Sequence, residues 1–216
     1  MSHLAAPPIA ATETRRPGSA ERRAMILAVA HELFLDQGFE GTSMSEVAAR
    51  LGGSKGTLYA YFDSKEALFE ALITDNCARM SAQLFEGPED TGLEQRLLAI
   101  ARGYIRLVTS DMAVRMIQIL AAEARRRPEL GRMFYEAGPA VALDRLSAIV
   151  AAAIADGTLD ADDPRLAAET LLSLARGKLH LKRMLGQIPE PDEATIDACA
   201  RRAVAQFLRL CRPIAP

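Results

Sequence analysis

Residues 42–65 read TSMSEVAARLGGSKGTLYAYFDSK, and the pattern of this stretch decides the fold. Ser43 and Glu46 are spaced as a capping box, in which a hydroxyl and a carboxylate satisfy the free backbone N–H groups at a helix start. Val47, Ala48 and Leu51 then recur at helical spacing and give a short helix one apolar face. Gly52-Gly53 stops it, because glycine takes left-handed backbone angles without a Cβ clash and costs about 1 kcal/mol inside a helix. Ser54 caps a second short helix, in which Leu58 and Phe62, at i and i+4, face a core. Lys55, Thr57, Tyr59 and Tyr61 are left for an outer surface, and Gly56 lets the backbone approach a groove closely. Asp63 or Ser64 caps the helix that opens at Lys65.

Two short helices joined by a glycine turn, the second carrying hydroxyl and ammonium groups, have the layout of a helix-turn-helix that reads DNA. Thr57 and the Tyr hydroxyls suit phosphate oxygens, and Lys55 and Lys65 suit phosphate charge. Either Lys55 or Thr57 has the reach for a base edge in the major groove. A nucleotide-binding loop is the wrong reading of the same glycines. Such a loop needs Gly-Lys-Ser/Thr after a strand, whereas here Lys55 precedes Gly56 and a helix comes first.

Outward from this motif, residues 21 to about 70 contain AVAHELFLDQGFEGTSMSEVAARLGGSKGTLYAYFDSKEALF, which resembles the DNA-binding domain of the TetR family of transcriptional regulators. The run SKGTLYxYFxSKExLF is among the more specific signatures of that family. The resemblance implies an all-α fold. A three-helix helix-turn-helix domain at 21–66, with its motif at 43–62, follows a tail at 1–20 and precedes a larger helical domain at 67–216 for effector binding and dimerisation. It also implies DNA contacts at Ser45, Ser54, Lys55, Gly56, Thr57, Tyr59, Tyr61 and Lys65, with Leu58 and Phe62 in the core. Gly53 departs from the family, which more often places an apolar residue there, and the departure loosens the turn. The implied function is a repressor that binds a palindromic operator as a homodimer and responds to a small molecule.

The chain has 216 residues, half of them hydrophobic, which suffices for one large or two small domains. Net charge is −2, and residues 21–79 hold six Lys or Arg against nine Asp or Glu. Attraction to DNA must therefore come from where the few cations sit, which predicts modest non-specific affinity. Residues 1–20 include Pro7, Pro8, Pro17 and Gly18 and lack the hydrophobic stretch of a secretion signal. They read as a disordered tail, with Arg15 and Arg16 either solvated or a basic arm toward DNA. No apolar run reaches the roughly 18 residues of a membrane span, so the expected place of work is the cytoplasm. Cys77, Cys199 and Cys211 lack the paired spacing of a metal site and read as reduced thiols. His3, His31 and His180 have no ligand partner at suitable spacing. Neither a cofactor, a metal nor an enzymatic constellation is indicated.

Ten helical segments are predicted: 21–37, 43–51, 54–62, 65–85, 93–109, 113–127, 129–135, 140–156, 164–185 and 192–210. They are separated by breaks such as Gly87-Pro88, Pro128 and Gly138-Pro139. In the ninth, Asp163 caps, Pro164 suits the first turn, and the apolar arc covers about half the circumference, more than one neighbour requires. Glu169, Ser173, Arg176, His180 and Arg183 form its polar line, read as solvated. The last helix has Ile196, Cys199, Ala200, Ala203, Phe207 and Leu208 on one side. Helices 164–185 and 192–210 together suit a four-helix homodimer contact.

Met112, Met116, Ile117, Leu120, Met133, Phe134, Leu146, Leu171 and Lys178 are candidates for the lining of an effector pocket, with ordinary core as the competing reading. Lys178 and Lys182 either face such a pocket or cover apolar surface with their stems. The segment 113–138, centred on EARRRPEL, resembles the C-terminal domain of AefR-like members of the same family, and Arg125 to Arg127 place positive charge at a helix end.

Overall fold

The computed structural model describes residues 18–86 and 91–212. Most of the tail expected at 1–20, including Arg15 and Arg16, lies outside the described residues, as does the Gly87-Pro88 break. Among the described residues ten α-helices follow one another: α1 (Ser19–Gly41), α2 (Met44–Arg50), α3 (Lys55–Tyr59), α4 (Lys65–Leu84), α5 (Leu93–Thr109), α6 (Asp111–Glu123), α7 (Pro128–Tyr135), α8 (Val141–Ala155), α9 (Pro164–Met184) and α10 (Glu193–Leu210). No strand occurs among the described residues.

Side-chain caps set many of the helix starts. Ser43, Ser54, Ser64, Ser110, Asp163 and Asp192 each accept backbone N–H groups from the first turn they precede. α1 starts two residues earlier than predicted, because the Glu21 carboxylate accepts from the Gly18 N–H at 2.9 Å and closes the first turn. The capping box expected at Ser43 is half formed. Ser43 accepts the Glu46 N–H, but the Glu46 carboxylate accepts instead from the Gln37 side chain at 2.6 Å and so ties α2 to α1.

Two apolar cores result. The first joins α1 to α3 with the first half of α4, and Met116, Leu120 and Leu130 reach into it from α6 and α7. Phe34, Phe39 and Phe69 form its centre, with ring centroids 4.8–5.8 Å apart. Such contacts add about 0.5–1.5 kcal/mol each beyond burial. The second core is a bundle in which α9 packs against α5, α8 and α10, with Leu97, Ile105, Leu146, Leu171 and Phe207 fully enclosed.

Three features correct the sequence reading. Gly138-Pro139 does not break the chain: a π-helical turn, Glu136–Ala140, carries it from α7 into α8, its wider bonding absorbing the N–H that Pro139 lacks. Pro128–Ala155 is thereby one helical stretch of 28 residues in which an 18-residue window reaches a mean hydropathy of 1.5, long and apolar enough by composition to cross a bilayer. In this fold its Leu143, Leu146 and Val150 fill the second core. α9 is interrupted at Gly177, whose φ of +47° is open to glycine, and the buried face changes beyond that point. Finally, Ile196, Ala200, Ala203 and Phe207 of α10 are buried within the bundle, so this stripe is spent inside one chain.

Candidate functional site

The reader is built on α2 and α3. The α2 backbone ends at Gly52, with φ +64°, and the Gly53 N–H returns to the Ala48 carbonyl at 3.2 Å. Ser54 Oγ accepts the Thr57 N–H at 3.2 Å and lies 3.1 Å from Thr57 Oγ1, so the two hydroxyls are already paired. Leu58 and Phe62 are buried in the first core, which fixes the rotation of α3. Ser45, Ser54, Lys55, Gly56 and Thr57 are exposed, and Tyr59 is 48% exposed. Lys55 and Tyr59, at i and i+4, share one outer face.

Two of the sequence-derived contact residues sit elsewhere. Tyr61 is half-buried against the first core. Lys65 Nζ donates to the Phe39 carbonyl at 2.8 Å and lies 4.4 Å from the centre of the Phe39 ring. Its ammonium thus fastens the start of α4 to the end of α1. Sequence reasoning missed Arg22, which lies beside the turn: a Cβ on residue 53 would come within 2.9 Å of its Nη2. Gly53, flagged only as loosening the turn, leaves room for this guanidinium.

A cavity of about 460 Å³ opens in the larger domain, among α4, α5, α6, α9 and the π-helical turn. Met112, Met116, Ile117 and Phe134 line it, while Leu120 and Met133 pack with the first core. Leu146 and Leu171 have no exposed surface and belong to the interior of the bundle. Lys178 and Lys182 point to solvent, because the change of direction at Gly177 turns them outward.

The polar line of α9 borders the cavity while Glu169, Ser173 and Arg176 remain exposed, and His180 is half-buried. Glu169, Ser173, Arg176 and His180 all lie on the cavity wall. Arg176 donates to the Tyr104 hydroxyl through Nε at 3.1 Å and Nη2 at 2.9 Å, and His180 Nδ1 donates to the Val108 carbonyl at 2.8 Å. Arg183 is buried and donates to the Thr109 and Ile188 carbonyls and to Asp111. Glu169, Ser173 and Arg176 are solvated as the helical wheel suggests, whereas α5 covers His180 and Arg183 at the end of the line. From α4, Asn76, Cys77 and Ser81 complete the wall, and burial pushes the Cys77 thiol up to about 11, so it stays protonated.

A third cluster joins the reader to the larger domain. Arg127 follows the end of α6 and donates to Glu40 at 3.1 Å and to Glu123 at 2.6 Å, with its guanidinium 4.5 Å from the centre of the Phe39 ring. Phe39 therefore meets two cations, Lys65 and Arg127. The Arg127 hydrogen bond holds the Glu40 carboxyl below its ordinary value. Rather than only facing a helix end, this member of the Arg125 to Arg127 run bridges two parts of the fold.

Comparison with known proteins agrees with this architecture. Residues 95–212 match the AefR-like transcriptional repressor, C-terminal domain, and residues 26–72 match the bacterial regulatory proteins of the tetR family. The solved structure of the flavonoid-responsive regulator FrrA is 38% identical, covering 91% of this chain and 100% of that one, with a TM-score of 0.79. A TetR-family regulator from Mesorhizobium loti is 27% identical over 92% of this chain and 98% of its own, also at 0.79. Curated matches are more partial: the transcriptional activator FasR of Mycolicibacterium smegmatis is 34% identical over 94 residues, 42% of each chain. The chain spans about half the length, 42–56%, of the first curated relatives it matches. With a helix-turn-helix reader before an AefR-like helical domain, this chain belongs to the TetR family of DNA-binding transcriptional regulators, which are not enzymes.

Proposed function

We propose that this regulator is a ligand-responsive repressor that grips a palindromic operator as a homodimer and releases it when a small organic molecule fills the cavity. One observation carries the reading. The first turn of α4 is fastened to the reader through Lys65 and Phe39, and its second half, including Ile73, Asn76, Met80 and Leu84, lines the cavity. An occupant that favours another tilt of α4 changes the spacing of two readers. α6 offers a parallel route, with Met112 and Met116 on the cavity and Glu123 and Arg127 at the Glu40 junction. The relative named for its response to flavonoids supports a small organic effector.

In this reading 21–66 is the DNA-binding unit and 67–216 the effector and dimer unit. Ser45, Lys55, Gly56, Thr57 and Tyr59 meet the operator, Ser54 holds Thr57 in place, and Arg22 adds a phosphate contact. Tyr61 and Lys65 hold the reader together instead. Leu166, Leu181, Leu185 and Leu210, each 61–68% exposed on α9 and α10, supply the apolar dimer contact that the buried α10 stripe does not. A twofold dimer sets its readers about 34 Å apart, one turn of DNA, and the cytoplasm is where that DNA is met.

Selecting bound fragments from the source genome tests this directly. The expected result is an inverted repeat bound by two chains, with operator affinity falling about 5- to 150-fold when effector binds, a coupling of about 1–3 kcal/mol. An effector that binds and leaves operator affinity unchanged contradicts induction.

A further inference from the structure

α9 carries an uncovered face whose two ends complement each other. Before the interruption at Gly177, Leu166, Glu169 and Ser173 are exposed; beyond it, Lys178, Leu181, Lys182 and Leu185 are. On an unbroken helix Lys178 would stand on the side opposite Glu169, and the change of direction at Gly177 brings it out. Neither Glu169 nor Lys178 takes part in an ion pair among the described residues, and Arg165, one turn before Glu169, is engaged with Asp144.

The spacing of these groups is that of a self-matching surface. Leu166 and Leu181 lie equally far from position 173.5, and so do Glu169 and Lys178. Two copies of α9 laid antiparallel about that point therefore set leucine on leucine and carboxylate beside ammonium, each pair twice. A parallel pairing would set Glu169 against Glu169 and Lys178 against Lys178, which like charges oppose. Small Ser173 stands at the crossing, and no atom lies within 4 Å of where a Cβ on Gly177 would be, so this chain puts nothing bulky in the way of a second helix. The Cys211 carbonyl accepts the Asp160 N–H at 2.9 Å, which brings the end of α10, and Leu210 with it, to the same end of the bundle as Leu166. All four exposed leucines then meet in the antiparallel pair.

The same face holds the mouth of the cavity. Glu169, Ser173 and Arg176 line the cavity and are exposed, as are Tyr135 and Pro139 on its other side, so the space opens between them. A helix that crosses at Ser173 lies over this opening.

We infer that a second copy of this chain closes the cavity: α9 crosses α9 of its partner antiparallel at Ser173, and Lys178 of the partner subunit stands on the rim beside Glu169. The inference rests on the dimer reading and adds to it a register and a consequence, since the ligand site is complete only in the pair. Pairing and ligand retention then support each other by mass action.

Sedimentation of charge variants tests the register. Glu169→Lys and Lys178→Glu should each weaken pairing about tenfold, because two contacts per dimer become repulsive, and the two together should return it to within about threefold of the wild-type chain. Uptake of N-ethylmaleimide at Cys77, a thiol on the cavity wall, tests the closure and is read by peptide mass spectrometry. Leu181→Glu, far from the mouth of its own cavity, should separate the copies. At a concentration where it is single and the wild-type chain is paired, its Cys77 should react about fivefold faster or more, with melting temperatures reporting that it folds. A paired chain in which the charge exchange restores nothing, Leu181→Glu pairing as the wild-type chain does, or equal Cys77 uptake in single and paired chains overturns the inference and leaves the dimer reading standing. A wild-type chain that sediments as one copy at every concentration overturns both.

Discussion

The reader and the cavity domain solve opposite packing problems. Around the reader, three phenylalanines in mutual contact and a cap at each helix start leave no room to relax, and the polar groups of α3 are turned outward on a fixed rotation. Around the cavity, flexible Met side chains border a space of about 460 Å³, and polar groups of α9 and α4 lie along its wall. A surface that must match the shape of DNA gains from rigidity, because groups ordered beforehand lose little entropy on binding. A domain that must answer to a ligand needs an interior with two nearly equal arrangements, and a partly empty core supplies that.

Truncation should expose this contrast most strongly. Phe69→Ala, which empties the centre of the reader core, is expected to cost about 3–5 kcal/mol in denaturant unfolding. Leu172→Ala on the cavity wall borders existing space and so loses fewer contacts, about 2 kcal/mol. Equal costs would mean that the two cores are equally stiff.

Next in size is the junction. Arg127→Ala leaves Glu123, 6% exposed, without its cation and frees Glu40 and Phe39, so the melting temperature should fall and the effector's hold on operator affinity should weaken. The pH dependence follows from Glu40. Its carboxyl is held low in the folded chain, so its contribution is complete above the ordinary carboxylate value and is lost as pH falls through the lowered one. Glu40→Gln should therefore flatten the acid limb of a stability–pH curve and leave the neutral and alkaline limb shape unchanged. An unaltered acid limb would show that the pair does not bridge the domains in solution.

The smallest effects belong to the turn. Gly53→Ala forces Arg22 to move by a few tenths of an ångström or more, which its flexible end allows at less than about 1 kcal/mol. Arg22→Ala should reduce the slope of operator affinity against salt by about one phosphate contact. An unchanged slope removes Arg22 from the interface.

What could be read from the chain beforehand follows the same division. The helix-turn-helix was legible because Ser43, Gly52, Ser54, Leu58 and Phe62 act within a few residues of one another, where capping and periodicity suffice. Lys65 and Arg22 were not, since their partners, Phe39 and the turn at Gly53, are 26 and 31 positions away in sequence. In the cavity, Met112, Met116, Ile117 and Phe134 follow one apolar pattern, but Leu120, Met133, Leu146 and Leu171 fit the same pattern and are ordinary core. Nothing local separates a side chain that borders a void from one that fills it. His180 and Arg183 were read as solvated groups because periodicity assigns polar residues to water, while their bonds to Val108 and Thr109 depend on α5, 72 and 74 positions earlier.

The claim on which the rest depends is that the outer face of α3 is the surface that holds DNA. Fluorescence anisotropy of the selected operator with Lys55→Ala plus Tyr59→Ala, beside sedimentation of the same protein, tests it most directly. Loss of at least about 100-fold in operator affinity is expected, as one or two phosphate and base contacts are worth about 1–3 kcal/mol each, with dimer mass and melting temperature unchanged. Operator binding at undiminished affinity by that folded double variant would contradict the account.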